Sequence, residues 1–260
     1  MLPLLTALPV SLHIIAWVVM AMLLTCLLMI GIHRVLPFEL RRQHNDVTGF
    51  LIAVIGIFYG LIMASILVIA VNRFDHAEKI VEKEANLIGD IARNAGTLSP
   101  HMATQVIPLA SRYLEDVITQ EWPMQRQGQK TFVGLQTLAE MNQAIGRYEP
   151  KTPRESAYYS AMLRKLSDLH DARRERIFLA DQGIATEVWM VILAGGVLTI
   201  GFALFFGVSQ RKIHFLFASA LAIAIALIFA LIEIFDQPFK GDISVSNEPY
   251  RVVWQLVKSN

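Results

Sequence analysis

The stretch GFLIAVIGIFYGLIMASILVIAVNRFDHAEKIVEKEANLIGDIAR, residues 49–93, passes from an apolar run into a charged run without a proline or a glycine at the change. Its apolar part reaches the roughly 20 residues that a helix needs to cross a bilayer. Nothing between the two parts breaks helical geometry. The stretch therefore predicts one continuous helix, from about residue 47 to 95, that leaves the membrane and continues in water.

The composition favours a membrane protein. Of the 260 residues, 54% are hydrophobic and 17% are charged, whereas soluble domains carry about 25% charged residues. A net charge of +1 does not suit a partner such as nucleic acid. The segments that are long and apolar enough to span a bilayer are 10–36, 47–71, 188–208 and 214–235. The first is too long for the core of a signal peptide, so we expect it to be retained as a span.

A polar segment, 72–186, lies between the second and third spans and contains fifteen basic and fifteen acidic residues. Small and apolar residues recur in it at spacings of three and four, which indicates one face of a helix. They are Ala77, Val81, Ala85, Ile88, Ala92 and Ala95. The charged residues beside them, Glu82 and Glu84 included, are interpreted as a solvated face. Strand alternation and hairpin dipeptides are missing, so the predicted fold is all-α.

Further helices are predicted at about 101–120, interrupted or kinked by Pro108, and at about 130–147. The sequence EWP, 121–123, is expected to end the first of them. A last helix begins at TPRE, where Thr152 can cap, Pro153 suits the first helical position and Glu155 can reach back to the cap. It is expected to run on to the third span.

The predicted organisation has four parts. Segment 1–71 holds spans 1 and 2, and 72–186 is a helical extramembrane domain continuous with span 2. Segment 187–236 holds spans 3 and 4, and 237–260 is a C-terminal tail.

Four motifs occur in order along the chain. The first is the run at 45–88, NDVTG to EANLI. DARRERI at 171–177, EVWMVILAGGVLTIGFALFFG at 187–207 and FDQPFKG at 235–241 follow it. Together these motifs resemble the bestrophin-like family of bacterial membrane proteins. The family is distantly similar to the bestrophins, which are pentameric anion channels with four spans per subunit and a helical extramembrane layer. The resemblance implies a pore lined by the second span and a PFG-type motif after the last one.

That motif is represented here by Pro238-Phe239-Lys240-Gly241. In calcium-gated bestrophins a row of acids follows it, but Asp242 and Glu248 are isolated in this chain. Calcium requires about six to eight oxygen ligands from a cluster. We therefore predict no calcium site, and neither a metal nor a cofactor elsewhere.

Phe58, Ile62 and Ile66 recur every four residues on the second span. Such a row can form a hydrophobic constriction that gates by dewetting. The same residues could instead face lipid. The resemblance to bestrophins, whose necks carry apolar rings on this helix, supports the constriction.

Gly49, Gly56 and Gly60 place small residues along the same span. Gly56-x-x-x-Gly60 is typical of helices that pack closely, and a narrow strip facing the pore is the alternative. Either interpretation calls for a neighbouring copy of the chain.

The densest basic cluster is Arg173, Arg174 and Arg176. Repeated around an oligomer, it could concentrate anions at a vestibule. The favoured interpretation is that each arginine pairs with a nearby acid, the choices being Asp168, Asp171, Glu175 and Asp181. Glu233 is the ionisable residue that lies well inside an apolar segment, and an interfacial or salt-bridged role is favoured over an ion pathway.

Orientation stays open at this point. The loops HRVLPFELRRQHND and SQRKIH carry five lysine and arginine residues and would be cytoplasmic by the positive-inside rule. Both termini and the helical domain would then lie outside. The resemblance to bestrophins implies instead that the helical domain is inside. Either way we expect a multi-pass protein of the bacterial inner membrane.

No enzyme signature occurs, so an enzyme is not predicted. The leading hypothesis is an oligomeric ion channel, anions first, with an axial pore lined by the second span. Its partners would be the lipid bilayer, further copies of the chain (five by the resemblance) and small inorganic ions. The alternative is a non-conducting structural or sensing protein whose helical domain binds a partner.

Overall fold

The computed structural model describes residues 9–129 and 131–259, and these contain helices and no strand. The helices are α1 (Val10–Val35), α2 (Phe38–Gln43), α3 (Asn45–Leu98), α4 (Pro100–Asp116), α5 (Trp122–Arg126), α6 (Val133–Gly146), α7 (Pro153–Asp181), α8 (Thr186–Leu204), α9 (Arg211–Asp236) and α10 (Glu248–Lys258). The first eight residues of the predicted segment 1–71, the predicted helix start at Lys130 and the last residue of the tail lie outside the described residues.

The four-span, all-α prediction is confirmed. Helices α1, α3, α8 and α9 are long and apolar enough to cross a membrane. The predicted continuous helix is also confirmed, because α3 runs without a break from Asn45 to Leu98. Ser99 follows it directly and accepts a hydrogen bond from the backbone N–H of Met102, so one helix ends where the next is capped.

The chain divides into two compact units, and α3 contributes to both. Unit 1 comprises the described residues up to Asn72 together with Gly183–Asp236 and Gly241–Ile243. Within it, α1 and α8 both pack against α9. The centre of its core is aromatic, because Trp17 and Trp189 both stack on Phe229.

Unit 2 comprises Arg73–Gln182, Gln237–Lys240 and the described residues from Ser244 onward. The predicted stripe from Ala77 to Ala95 is buried throughout. Helix α4 packs against α6 and α10. At the start of α7, Thr152 accepts the backbone N–H of Glu155, as predicted, but the Glu155 carboxylate accepts from the N–H of Lys151 rather than from that of the cap.

Several boundaries differ from the prediction. EWP does not end a helix, because Val117–Glu121 forms a π-helical turn that leads into α5. Pro123 stands in the first turn of α5, directly after this π-helical turn. Helix α4 runs through Pro108 without interruption. The last helix of the polar segment ends at Asp181, before the third span.

Two further differences concern the C-terminal tail and Glu84. The tail contains α10, whose Tyr250, Val253 and Val257 are buried. Their spacing of three and four residues is the helical signal in the sequence of the tail. Glu84 does not belong to a solvated face, because it is completely buried.

Candidate functional site

The part of α3 in unit 1 has an apolar surface that the unit leaves uncovered. Phe58 is 65% exposed and Ile62 is 44% exposed. Ile66, four residues further on, packs in part against the core of unit 1. Exposure falls from Phe58 through Ile62 to Ile66 because residues spaced four apart rotate by about 40° around the helix axis at each step. On the same helix, Ile57 and Leu61 are 73% and 64% exposed.

Gly49, Gly56 and Gly60 of α3 have different surroundings. A side chain at Gly49 would meet the ring of Phe206 at 3.8 Å, whereas a Cβ at Gly56 or Gly60 would have no heavy atom within 4 Å. Within the subunit, the Gly56-x-x-x-Gly60 motif therefore packs against no described residue. Its small surface is open to a partner or to lipid.

A buried network of charged side chains lies in unit 2, and Arg176 is at its centre. The Arg176 guanidinium donates to both oxygens of Glu84 at 2.7 and 3.2 Å, to Glu121 at 2.8 Å and to the amide oxygen of Gln125 at 2.7 Å. The hydroxyl of Tyr113 donates to Glu84 at 2.6 Å. The Arg176 side chain is 1% exposed, so each of these bonds is shielded from water.

Arg173 is the second cation of this network. Its guanidinium forms a two-pronged ion pair with Glu121, with N–O distances of 2.6 and 2.8 Å. Glu121 also accepts the backbone N–H of Gly134 at 2.8 Å. A Cβ at Gly134 would lie 3.0 Å from that carboxylate and 3.1 Å from Arg173, so the close approach favours glycine here.

Proton affinities in the network follow from burial and pairing. Burial alone would raise the pKa of Glu121, but hydrogen bonds from Arg173 and the charge of Arg176 lower it to about 2. Burial and the charge of Glu84 raise the pKa of Tyr113. Glu121 and both guanidinium groups therefore carry their charges, and Tyr113 stays a donor.

The PFKG motif forms a turn beside this network. Phe239 is buried and meets the edge of Trp122, with ring centroids 5.7 Å apart. The backbone N–H of Val245 donates to the carbonyl of Pro238 at 2.7 Å and closes the turn. Gly241 has a φ of 77°, a conformation that other residues adopt at a cost. The motif thus anchors an aromatic ring in unit 2 and needs its glycine for the reversal.

Glu233 lies inside unit 1 on α9. Trp17 of α1 donates its indole N–H to the carboxylate at 2.7 Å, and His13 Nε2 lies 3.2 Å from the same oxygen. Glu233 is 8% exposed. The favoured salt-bridge role therefore has an identified partner, His13, when that histidine is protonated.

Comparison with known proteins identifies the family. The model of the Bestrophin-like domain matches residues 19–250. The chain belongs to the bestrophin-like family. Crystal structures of a bacterial bestrophin homolog from Klebsiella pneumoniae are similar in fold. One point-mutant form of that homolog has a TM-score of 0.69 at 12% identity, with 95% of this chain and 98% of that chain covered. The same homolog solved by Zn-SAD phasing has a TM-score of 0.67 at 12% identity, covering 95% and 97%. None of the curated proteins matches this sequence.

In this bestrophin-like protein the arginine cluster is divided. Arg174 is exposed and pairs with Asp171, one of the predicted acids. Arg173 and Arg176 are buried and pair with Glu121 and Glu84, which were not among the predicted acids. Two guanidinium groups enclosed by carboxylates cannot attract anions to a vestibule. Of the three arginines predicted to form an anion vestibule, Arg174 is the one whose charge is exposed.

A sequence signal for the buried network was available. Met162, Leu166 and Leu169 are buried on α7, and the same spacing of three and four continues to Arg173 and Arg176. Glu84 stands in the corresponding row of α3, three residues after Val81 and four before Ile88. A charge at a core position predicts a buried partner. Glu121 shows the same signal, because it follows the buried residues Ala110, Tyr113 and Val117 at spacings of three and four.

No group of three or more His, Cys, Asp or Glu side chains within residues 9–129 and 131–259 could hold a metal ion. Asp242 and Glu248, which follow the PFKG motif, therefore gain no further acidic ligands from the described part of the chain.

Proposed function

We propose that the protein is an oligomeric anion channel with an axial pore lined by α3, and that Phe58, Ile62 and Ile66 include its narrowest part. The observation that carries the proposal is the apolar surface of α3 that unit 1 leaves uncovered. Membership of the bestrophin-like family supports it, since the bestrophins that the family resembles are anion channels.

The constriction is argued from chemistry and helix geometry. An apolar ring excludes water until it widens, so a resting channel of this kind conducts poorly. Phe58 and Ile62 have the exposed side chains that such a ring requires. Ile66 turns toward the core of its own subunit, so we expect it to contribute less to the narrowing.

Assembly is argued from the glycines. Gly56 and Gly60 leave room for the backbone of another helix to approach closely, which is the usual basis of association between apolar helices. We propose that a second copy of the chain occupies this room. The number five comes from the resemblance to bestrophins.

Preference for anions is argued from Arg174. Its side chain is 80% exposed, and its pairing with Asp171 is a surface ion pair that is weak in water. Repeated in each subunit, Arg174 would raise the local anion concentration.

The test is chloride flux in liposomes. We expect Ile62→Ala to raise the flux above that of the unchanged protein, because the smaller side chain lets water and ions enter. Ile57→Ala and Leu61→Ala remove similar apolar groups from the same helix and are the matched controls. Both should leave the flux nearly unchanged.

Equal effects at all three positions would refute the assigned constriction. An absence of flux from every variant would refute the channel and favour a membrane-anchored protein whose helical domain binds a partner.

A further inference from the structure

One end of unit 1 carries an excess of positive charge without carboxylate partners. The segments 33–46 and 205–214 contain five lysine and arginine residues but only Glu39 and Asp46 as acids. We call these cations the basic end; they are Arg34, Arg41, Arg42, Arg211 and Lys212. None of them forms an ion pair with a carboxylate in the described part of the chain.

Arg41 is fixed at the centre of the basic end. It is 4% exposed, and its Nη1 donates to the carbonyls of Leu204 and Phe206, both at 3.3 Å. These carbonyls belong to the C-terminal end of α8, where a cation is favourable. Burial and the charge of Arg211 lower the pKa of Arg41.

The loop after α8 packs against the end of α2 and the start of α3. The side chain of Asn45 accepts the backbone N–H of Gly207 at 2.8 Å and donates to its carbonyl at 3.4 Å. A Cβ at Gly207 would lie 2.5 Å from Arg42 Cα and 2.9 Å from the carbonyl carbon of Arg41. The two arginines therefore have a built position, which depends on a glycine.

Two histidines adjoin Arg41. The rings of His33 and His214 are 5.6 Å apart. Nδ1 of His33 donates to the carbonyl of Met29 at 2.7 Å, and Nε2 of His214 donates to that of Ala203 at 3.2 Å. Their second nitrogens stay available. A metal cation is disfavoured there, because the positive charge of Arg41 acts on His214.

Two buried nitrogen atoms of this end have no hydrogen-bond partner among the described residues. They are Nε of Arg41 and Nδ1 of His214. His214 is 2% exposed, so both side chains are more than nine-tenths buried. An unpaired buried N–H is costly. The Arg41 donor needs an acceptor.

We propose that the basic end binds a phosphate group, carried by an anionic lipid headgroup or by free phosphate. Phosphate supplies the negative charge and the acceptor oxygens that the arginines require. Basic residues at the ends of membrane helices are suited to lipid phosphates in particular. This site lies apart from the residues of the proposed constriction, so it can be tested independently of conduction.

The first test uses the purified full-length protein. Native mass spectrometry would measure the binding of phosphatidylglycerol and of phosphatidylcholine. We expect phosphatidylglycerol to be preferred. The exposed pair Arg42→Gln with Arg211→Gln should weaken its binding about 25-fold, because each lost cation near a membrane surface counts for about fivefold. The control, Arg147→Gln with Arg164→Gln, removes the same charge from exposed positions in unit 2 and should have no effect.

A variant of unchanged charge separates a built site from diffuse attraction. Gly207→Ala displaces α2 and should weaken phosphatidylglycerol binding at least about fivefold, the contribution of one cation. If it binds as tightly as the unchanged protein, the built site is refuted. Because Gly207→Ala could also impair folding, the double arginine variant must show its loss as well.

A second arm identifies the source of the phosphate. If the site binds free phosphate, calorimetric titration of the unchanged protein with inorganic phosphate should release or absorb heat. The variant Arg42→Gln with Arg211→Gln should then give no such heat. Binding of phosphatidylglycerol alone would assign it to a lipid headgroup. Equal binding of the two lipids together with no heat from phosphate would overturn the proposal.

Discussion

Replacement of Arg176 by methionine tests the buried network most directly. The change keeps much of the side-chain volume but removes the guanidinium that joins Glu84 to Glu121. Glu121 keeps its two-pronged pair with Arg173. Glu84 keeps the hydroxyl of Tyr113 but loses its cationic partner, and it has no exposed surface.

Loss of one partner from a buried ion pair costs about 3–5 kcal/mol. For a chain of this size, that corresponds to a fall in melting temperature of about 6–20 °C. Arg174→Met is the matched control. It removes the same group from an exposed pair two residues earlier, which should cost at most about 1 kcal/mol.

The assay is thermal unfolding of the full-length protein in a mild detergent, followed by circular dichroism. The double variant Glu84→Leu with Arg176→Met removes both charges and should be more stable than Arg176→Met alone. If Arg176→Met melts at the same temperature as Arg174→Met, the reasoning is refuted. A double variant no more stable than Arg176→Met would also contradict it.

Three other predictions concern separate parts of the molecule. The pKa of Glu121 is about 2, against an ordinary 4.5, so its contribution to stability should be complete above pH 4.5 and lost as the pH falls toward 2. Acid unfolding of the unchanged protein should show this loss of stability, and Glu121→Gln should lack it. Gly195→Ala should lower the melting temperature, because its Cβ would lie 2.7 Å from the ring of Tyr59, at a cost of about 1–3 kcal/mol; Gly201→Ala, with open space at its Cβ, should not. Gly56→Leu should shift the protein toward smaller assemblies in light scattering coupled to size exclusion, and a monomeric unchanged protein, or a variant that assembles normally, would count against the proposed interface.

The sequence by itself determined the helical framework. The four apolar segments, the unbroken passage from span to polar helix and the stripe from Ala77 to Ala95 all depend on periodicity and on the absence of helix breakers. The structure has each of them. Likewise, the start of α7 follows from Thr152 and Pro153, because a cap is a contact between residues that are close in the chain.

The tertiary structure alone decided which charges meet. Arg176 and Glu84 are 92 positions apart, and Arg173 and Glu121 are 52 apart. Choosing the ion-pair partner of an arginine from the acids near it in the chain gives the correct acid for the exposed Arg174. It fails for the other two because a buried cation must take its partner from whichever helix covers it. The partner therefore depends on how α3, α7 and the π-helical turn before α5 pack together, which local periodicity does not determine.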